Sequence, residues 1–105
     1  MKYGLSAQNI NAINSIFRQY PAVSEVILYG SRAKGNFRNG SDIDLTMLGN
    51  ELDLTTQLRI ENALDDLLLP YKIDLSVKAH IENPDLIDHI ERVGLTFYSK
   101  ETAGA

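Results

Sequence analysis

Apolar residues recur along this chain with two different spacings, one typical of helices and one typical of strands. Near the N-terminus, Ile10, Ile13 and Phe17 follow the spacing of a helix that buries one face. Ser6 is a suitable N-cap for that helix, and Pro21 is expected to close it. Further along, apolar and polar residues alternate with a period of two, as in a strand with one buried face. The pattern therefore predicts helices and strands in alternation.

The predicted order of elements is αβαβαβα. The helices are expected at about 6–20, 31–37, 53–68 and 84–93, and the strands at about 24–29, 42–48 and 71–77. The third helix carries a stripe of leucines that we expect to be core, namely Leu54, Leu58, Leu64, Leu67 and Leu68. The apolar residues LTFYS after Gly94 are interpreted as the close of the chain. We expect an α/β (α+β) fold with a small mixed three-stranded sheet flanked by helices.

No linker or internal repeat divides the chain, so residues 1–105 are predicted to form a single domain with a short frayed tail from about residue 100. The net charge of −4 argues against general binding of long nucleic acids, which needs a basic surface. Because cysteine is absent, a metal would need oxygen or imidazole ligands. Neither a signal peptide nor a membrane-length apolar run is recognisable, so we expect a cytoplasmic protein without membrane association.

Three aspartates lie on the polar faces of two predicted strands. Asp42 and Asp44 point the same way, with Cα atoms about 6–7 Å apart, which suits metal ions about 3.5–4 Å from each other. Asp74 joins them if the second and third strands are neighbours in register. Three facing carboxylates repel one another unless cations neutralise them, and hard oxygen ligands prefer Mg²⁺ or Mn²⁺ to zinc. We therefore predict that these three residues bind magnesium as a two-ion site.

A glycine–serine turn follows the first predicted strand. At Gly30 and Ser31, backbone N–H groups at the start of a helix could approach phosphate oxygens, and the serine adds a hydroxyl donor. The ten residues before the first aspartate form a short helix and a turn that bring the chain back to this strand. Among the nearby basic residues Arg32, Lys34 and Arg38, Arg32 is the first candidate for a triphosphate contact. The alternative for all three is a solvated basic surface.

The segment GSRAKGNFRNGSDID resembles the motif of the DNA polymerase beta-like nucleotidyltransferases: Gly-Ser, ten residues, Asp-x-Asp, and a third aspartate on a later strand. The resemblance covers nearly the whole chain and is greatest to the smallest branch, the minimal nucleotidyltransferases that act as adenylyltransferase antitoxins. It implies a nucleotidyltransferase fold. Matched by position, it implies phosphate binding at Gly30 and Ser31 and catalytic metal binding at Asp42, Asp44 and Asp74.

The resemblance also implies an activity, namely Mg²⁺-dependent transfer of a nucleoside monophosphate, AMP from ATP, to a hydroxyl. The implied acceptor is a tyrosine on a helical HEPN-type RNase toxin, held in a hetero-oligomer with this chain, and Asp74 is the candidate general base. Two alternatives stay open. One is a transferase for a small molecule or an RNA end, with a separate acceptor-binding subunit. The other is a nucleotide-binding antitoxin that masks its partner without catalysis.

A few polar residues near the predicted site have simpler interpretations. Lys72 and Ser76 share the face of Asp74 and could support it. His80 and His89 lie outside the carboxylate group in the sequence, so both are interpreted as surface or packing residues. Tyr29 is expected to pack beneath the glycine–serine turn.

Overall fold

A mixed β-sheet of four strands carries the helices of this protein. The computed structural model describes residues 1–100. The strands are β1 (Val23–Tyr29), β2 (Ile43–Gly49), β3 (Ile73–Val77) and β4 (Leu95–Ser99), in the spatial order β3-β2-β1-β4. The helices are α1 (Ala7–Arg18), α2 (Gly30–Lys34), α3 (Leu54–Asp65) and α4 (Pro84–Val93), with a short 3₁₀ helix at Lys78–His80. Strand β1 is antiparallel to β2 and β4, whereas β2 and β3 are parallel.

The predicted α/β class and mixed sheet are confirmed, but the sheet has four strands where three were expected. The apolar run after Gly94 does not simply close the chain. It forms β4 and pairs with the outer edge of β1, whose backbone groups need hydrogen-bond partners. In the predicted tail, Lys100 is described, and its Nζ donates to the Pro21 carbonyl at 3.1 Å. The remaining tail residues, 101–105, lie outside the described part of the chain.

One face of the sheet is covered by α1 and α3 and forms the core. Alternate residues of β2 point into it, and Ile43, Leu45 and Met47 are fully buried. Helix α1 contributes Ile13 and Phe17, which are fully buried as well. The residues of β2 that alternate with Ile43, Leu45 and Met47 therefore face the other side of the sheet. This alternation brings the aspartates of β2 to the face that α2 and α4 border.

The buried side of α3 differs from the predicted leucine stripe. Leu54, Leu58 and Leu68 are 64%, 48% and 87% exposed, whereas Ile60 is fully buried and Leu64 is 3% exposed. The prediction that the whole stripe is core was therefore wrong. Each helical residue advances about 100° around the axis, so Ile60 lies about 200° from Leu58 and the two cannot share one narrow face.

Side-chain caps fix where three of the helices begin. Ser6 accepts a hydrogen bond from the Asn9 amide at 3.1 Å, as the sequence predicted for α1. Asp53 caps α3 by accepting from the Thr56 amide, and Asn83 caps α4 immediately before Pro84. Within residues 1–100, none of the helices has the length and apolar character needed to cross a membrane.

Candidate active site

Two of the predicted carboxylates lie directly opposite each other on parallel strands. Asp44 of β2 pairs in register with Asp74 of β3, so their Cα atoms are separated by about one interstrand spacing, roughly 4.8 Å. Asp42 lies two residues before Asp44, just ahead of the first residue of β2. The expectation that the two strands are neighbours in register therefore holds. The fold brings all three predicted aspartates to one end of the β2–β3 pair.

Asp44 has the most perturbed environment of the three. Its pKa is raised above the ordinary value, first because burial disfavours the charged form and then because Asp74 and Asp42 repel it. Arg32, and the His89 ring whenever it carries a positive charge, act in the opposite direction with smaller effects. Asp42 and Asp74 are exposed. Negative charge is thus concentrated around one partly buried carboxylate, which a cation would stabilise.

The glycine–serine turn touches this same carboxylate. Gly30 follows β1 and opens α2, and its φ of +74° lies in the left-handed region that favours glycine. A Cβ on this residue would overlap the Asp44 Oδ2. The preceding residue, Tyr29, is the register partner of Asp44 across the β1–β2 pair. The predicted phosphate-binding turn and the predicted metal-binding strand are therefore in direct contact, and the left-handed backbone at this contact favours glycine.

Arg32 has a structural environment that the sequence did not suggest. Its side chain is only 3% exposed. Its Nε and Nη2 donate to the Ser41 carbonyl at 3.1 and 2.8 Å, and its Nη1 donates to the Tyr3 carbonyl at 2.8 Å. The guanidinium also lies 5.2 Å from the ring centre of Phe37 and 4.9 Å from that of Tyr71. Arg32 thus anchors the backbone just before the first aspartate, and its donors point at the protein itself.

Hydroxyl groups lie beneath the paired carboxylates. Thr46 is fully buried, and its Oγ1 accepts a hydrogen bond from the Ser76 Oγ at 2.9 Å. These two residues are register partners, and each lies two positions after the corresponding aspartate of the Asp44–Asp74 pair. The pKa of Tyr29 is raised mainly by burial, with a hydrogen bond to Ser76 acting against this and the charge of Asp74 adding to it. Ser76 was predicted as a supporting group, whereas Thr46 was not singled out.

His89 reaches the site from α4, although the sequence placed it among surface or packing residues. Its Nε2 accepts a hydrogen bond from the Gly30 amide at 3.1 Å. Its ring also meets the Tyr29 ring edge-on, with centroids 6.1 Å apart and an interplanar angle of 80°. The second histidine, His80, is exposed on the 3₁₀ helix. The contact of His89 joins residues 59 positions apart, so no local pattern in the sequence indicates it.

The donor set fits a hard divalent cation. The three carboxylates supply the oxygen ligands that magnesium prefers, and Asp44 is the one that burial and repulsion make most dependent on a counter-charge. Among residues 1–100, no three acidic, histidine or cysteine side chains are gathered closely enough to form a finished metal cage. The strands already place Asp44 and Asp74 side by side, so these carboxylates would need only to rotate about their side-chain bonds to converge on an ion.

Comparison with known families agrees with this geometry. Residues 11–103 match the sequence profile of the family described as polymerase beta, nucleotidyltransferase. The chain belongs to the polymerase beta nucleotidyltransferase family. The resemblance read from the Gly-Ser and Asp-x-Asp spacing is thereby confirmed, and so is the expectation of a nucleotidyltransferase fold.

Relatives of this nucleotidyltransferase include a Haemophilus influenzae protein named "Probable protein adenylyltransferase MntA". The two are 28% identical over 98 residues, which are 92% of this chain and 85% of the relative. A toxin–antitoxin crystal structure with AMP-PNP matches with a TM-score of 0.71 and 23% identity, over 90% of this chain and 77% of the other. A complex of the tri-AMPylated Shewanella oneidensis HEPN toxin with MNT antitoxin matches with a TM-score of 0.66 and 20% identity, over 92% and 75%. These structural likenesses establish the fold.

Proposed function

We propose that this nucleotidyltransferase moves AMP from ATP to a hydroxyl group of a partner protein and acts as the antitoxin of that partner. The proposed acceptor is a tyrosine of a HEPN-type toxin held in a hetero-oligomer with this chain. The support from relatives is that the Haemophilus influenzae protein is named a protein adenylyltransferase, and that the Shewanella oneidensis complex holds an AMPylated HEPN toxin. The AMP-PNP of the other toxin–antitoxin structure supports ATP as the substrate.

One observation carries the proposal, namely the contact between the Gly30 turn and the Asp44 carboxylate. A Cβ at Gly30 would overlap Asp44, and Asp74 lies opposite on the next strand. Phosphates bound by Ser31 and the turn would therefore lie beside the carboxylates. Nucleotidyl transfer needs this proximity, because the metal ligands and the triphosphate must meet at the same phosphorus atom.

The proposed roles follow from the position of each side chain. Asp42, Asp44 and Asp74 would hold two magnesium ions. When bound, these ions would polarise the acceptor hydroxyl and neutralise charge on the leaving pyrophosphate. Asp74 takes the proton of the acceptor hydroxyl. The acceptor oxygen then forms a bond to the α-phosphorus while the bond from that phosphorus to the bridging oxygen of pyrophosphate breaks. Ser31 orients the departing phosphates.

The exposure of the site supports an acceptor that comes from outside the chain. Asp42 and Asp74 are both exposed, so a tyrosine on the surface of another protein can reach them. A cavity of about 370 Å³ lies near the far ends of β2 and β3, lined by Leu48, Gly49 and Lys78 among others, and is separate from the carboxylates. The cytoplasmic location expected from the sequence of this chain remains a prediction.

The test is a transfer assay with ATP labelled at the α-phosphate. The purified chain is incubated with magnesium and its candidate toxin, and labelled residues are located by mass spectrometry. Label on a toxin tyrosine, lost in Asp44→Asn and Asp74→Asn variants, is the expected result. Asp65→Asn is the matched control, because Asp65 is exposed at the end of α3, the helix that covers the opposite face of the sheet from the aspartates.

Two other outcomes would replace the proposal. Label that appears only on small molecules or RNA would show a transferase for a different acceptor. Full neutralisation of the toxin by the Asp42→Asn, Asp44→Asn double variant, at the same dose as the unchanged chain, would show an antitoxin that acts by contact.

A further inference from the structure

The Gly30 turn lacks the support that usually fixes the start of a helix. Tyr29 occupies the N-cap position of α2, and its side chain makes no capping hydrogen bond. Glycine has more backbone freedom than any other residue, and at this position it cannot be exchanged for a more restricted one without overlapping Asp44. The conformation of the turn must therefore be held by a group elsewhere in the fold.

His89 supplies that group. Its Nε2 accepts from the Gly30 amide at 3.1 Å and so satisfies one of the N–H groups that the first turn of a helix leaves without an intrahelical partner. A nitrogen that accepts carries no proton, so the neutral imidazole has its proton on Nδ1. The edge-on contact with the Tyr29 ring orients the imidazole from a second direction. His89 thus contacts both residues of the Tyr29–Gly30 peptide, namely the ring of Tyr29 and the amide of Gly30.

The helix that carries His89 is itself firmly seated. The next residue, Ile90, is 2% exposed and anchors α4 to the sheet. At the end of the helix, Gly94 lies so close to the Ile90 carbonyl and the Ile27 side chain that a Cβ there would overlap both. In the same helix, Glu91 approaches the Lys78 Nζ at 3.8 Å. His89 therefore acts from a rigid element, as a group that fixes geometry should.

We infer that His89 is a positioning residue, whose Nε2 caps α2 and fixes the Gly30 turn for the triphosphate. The inference rests on the proposed function, because it assumes that this turn binds phosphates. Because the Gly30 amide already donates to His89, the groups of this turn that are left to bind phosphate are the amide and hydroxyl of Ser31.

The first experiment measures binding of Mg²⁺·AMP-PNP to the full chain by calorimetry. His89→Ala is expected to weaken binding about 2- to 12-fold, the range that corresponds to one hydrogen bond of net ~0.5–1.5 kcal/mol. His89→Gln should restore affinity to within about twofold, because its amide oxygen can accept from the same amide. His89→Met fills similar space without an oxygen or nitrogen acceptor and should bind as weakly as His89→Ala, whereas a purely space-filling role would make it bind as His89→Gln does. His80→Ala is the control and should bind as the unchanged chain does. Circular dichroism confirms that each variant is folded.

The second experiment reads the imidazole directly. Long-range ¹H–¹⁵N spectra should show the His89 Nδ1 protonated and Nε2 unprotonated, both with and without Mg²⁺·AMP-PNP. A protonated Nε2, unchanged affinity in His89→Ala, or a glutamine variant as weak as the alanine variant would each overturn the inference. If the unchanged chain binds no AMP-PNP, the proposed function fails instead, and the spectra alone then decide whether His89 caps the turn.

Discussion

Replacing Arg32 tests whether this residue stabilises the protein or contacts the nucleotide. Arg32→Met keeps an apolar side chain of similar length and removes all three hydrogen bonds to the carbonyls of Ser41 and Tyr3. Each partly buried carbonyl left without a partner costs ~1–3 kcal/mol. The lost contacts with the Phe37 and Tyr71 rings add ~0.5–1 kcal/mol each. Some of this is offset, because a charged group no longer has to be desolvated. We expect a net loss of about 3 kcal/mol.

That loss is a large fraction of the ~5–15 kcal/mol that stabilises an ordinary domain. At ~4–8 °C per kcal/mol for a chain of this size, Arg32→Met should lower Tm by about 12–24 °C. Urea and thermal unfolding followed by circular dichroism measure both quantities. Arg38→Met is the control, because Arg38 is exposed and its replacement should change the free energy of unfolding by less than ~0.5 kcal/mol. If Arg32→Met is no less stable than this control but binds Mg²⁺·AMP-PNP more than about tenfold less tightly, Arg32 is a nucleotide contact and the structural interpretation is refuted.

Three further predictions concern the turn, the central carboxylate and the exposed leucines. Gly30→Ala should abolish AMP transfer, because its Cβ would overlap Asp44 and its φ is left-handed; transfer at the unchanged rate would contradict the contact. The raised pKa of Asp44 means that its favourable contribution to folding exists at acid pH and is lost as pH rises through that pKa. Without metal, Asp44→Asn should therefore be more stable than the unchanged chain at neutral pH, by a difference that shrinks towards pH 3.8. Urea unfolding midpoints in EDTA measure this difference in stability, and a difference that does not change with pH would contradict the prediction. On α3, Leu54→Gln and Leu58→Gln should each cost less than ~0.5 kcal/mol, whereas Ile60→Ala should cost ~2–5 kcal/mol in the same assay.

The strand that carries the aspartates could be predicted from the sequence because its signal is local. Apolar and polar residues alternate from Asp42 to Met47, so the side of the sheet on which each residue lies follows from the period of two. The pairing of Asp44 with Asp74 was expected on the condition that the two strands are neighbours in register, and the structure meets that condition. The predicted face therefore needed no long-range information, whereas the register did.

The features that were missed depend on contacts between distant parts of the chain. A lone arginine is exposed by default, and the burial of Arg32 follows from carbonyls and rings contributed by three other segments. In strand β4 the two buried residues, Phe97 and Tyr98, are adjacent, so the run lacks the alternation of a half-buried strand. On α3, leucines were grouped by residue type, although helical rotation places Ile60 rather than Leu58 against the sheet.

Asp44 is the residue at which stability and the proposed function oppose each other. Burial together with Asp74 and Asp42 makes its charged form unfavourable, and the opposing effect of the positively charged Arg32 is smaller. A mutation that removed the charge would stabilise the metal-free fold, yet it would also remove a ligand beside the phosphate-binding turn. Anything that binds the charged, folded form stabilises it by mass action. The repulsion that weakens the metal-free protein is thus what Mg²⁺·ATP would relieve, so nucleotide should raise the Tm of the unchanged chain more than that of Asp44→Asn.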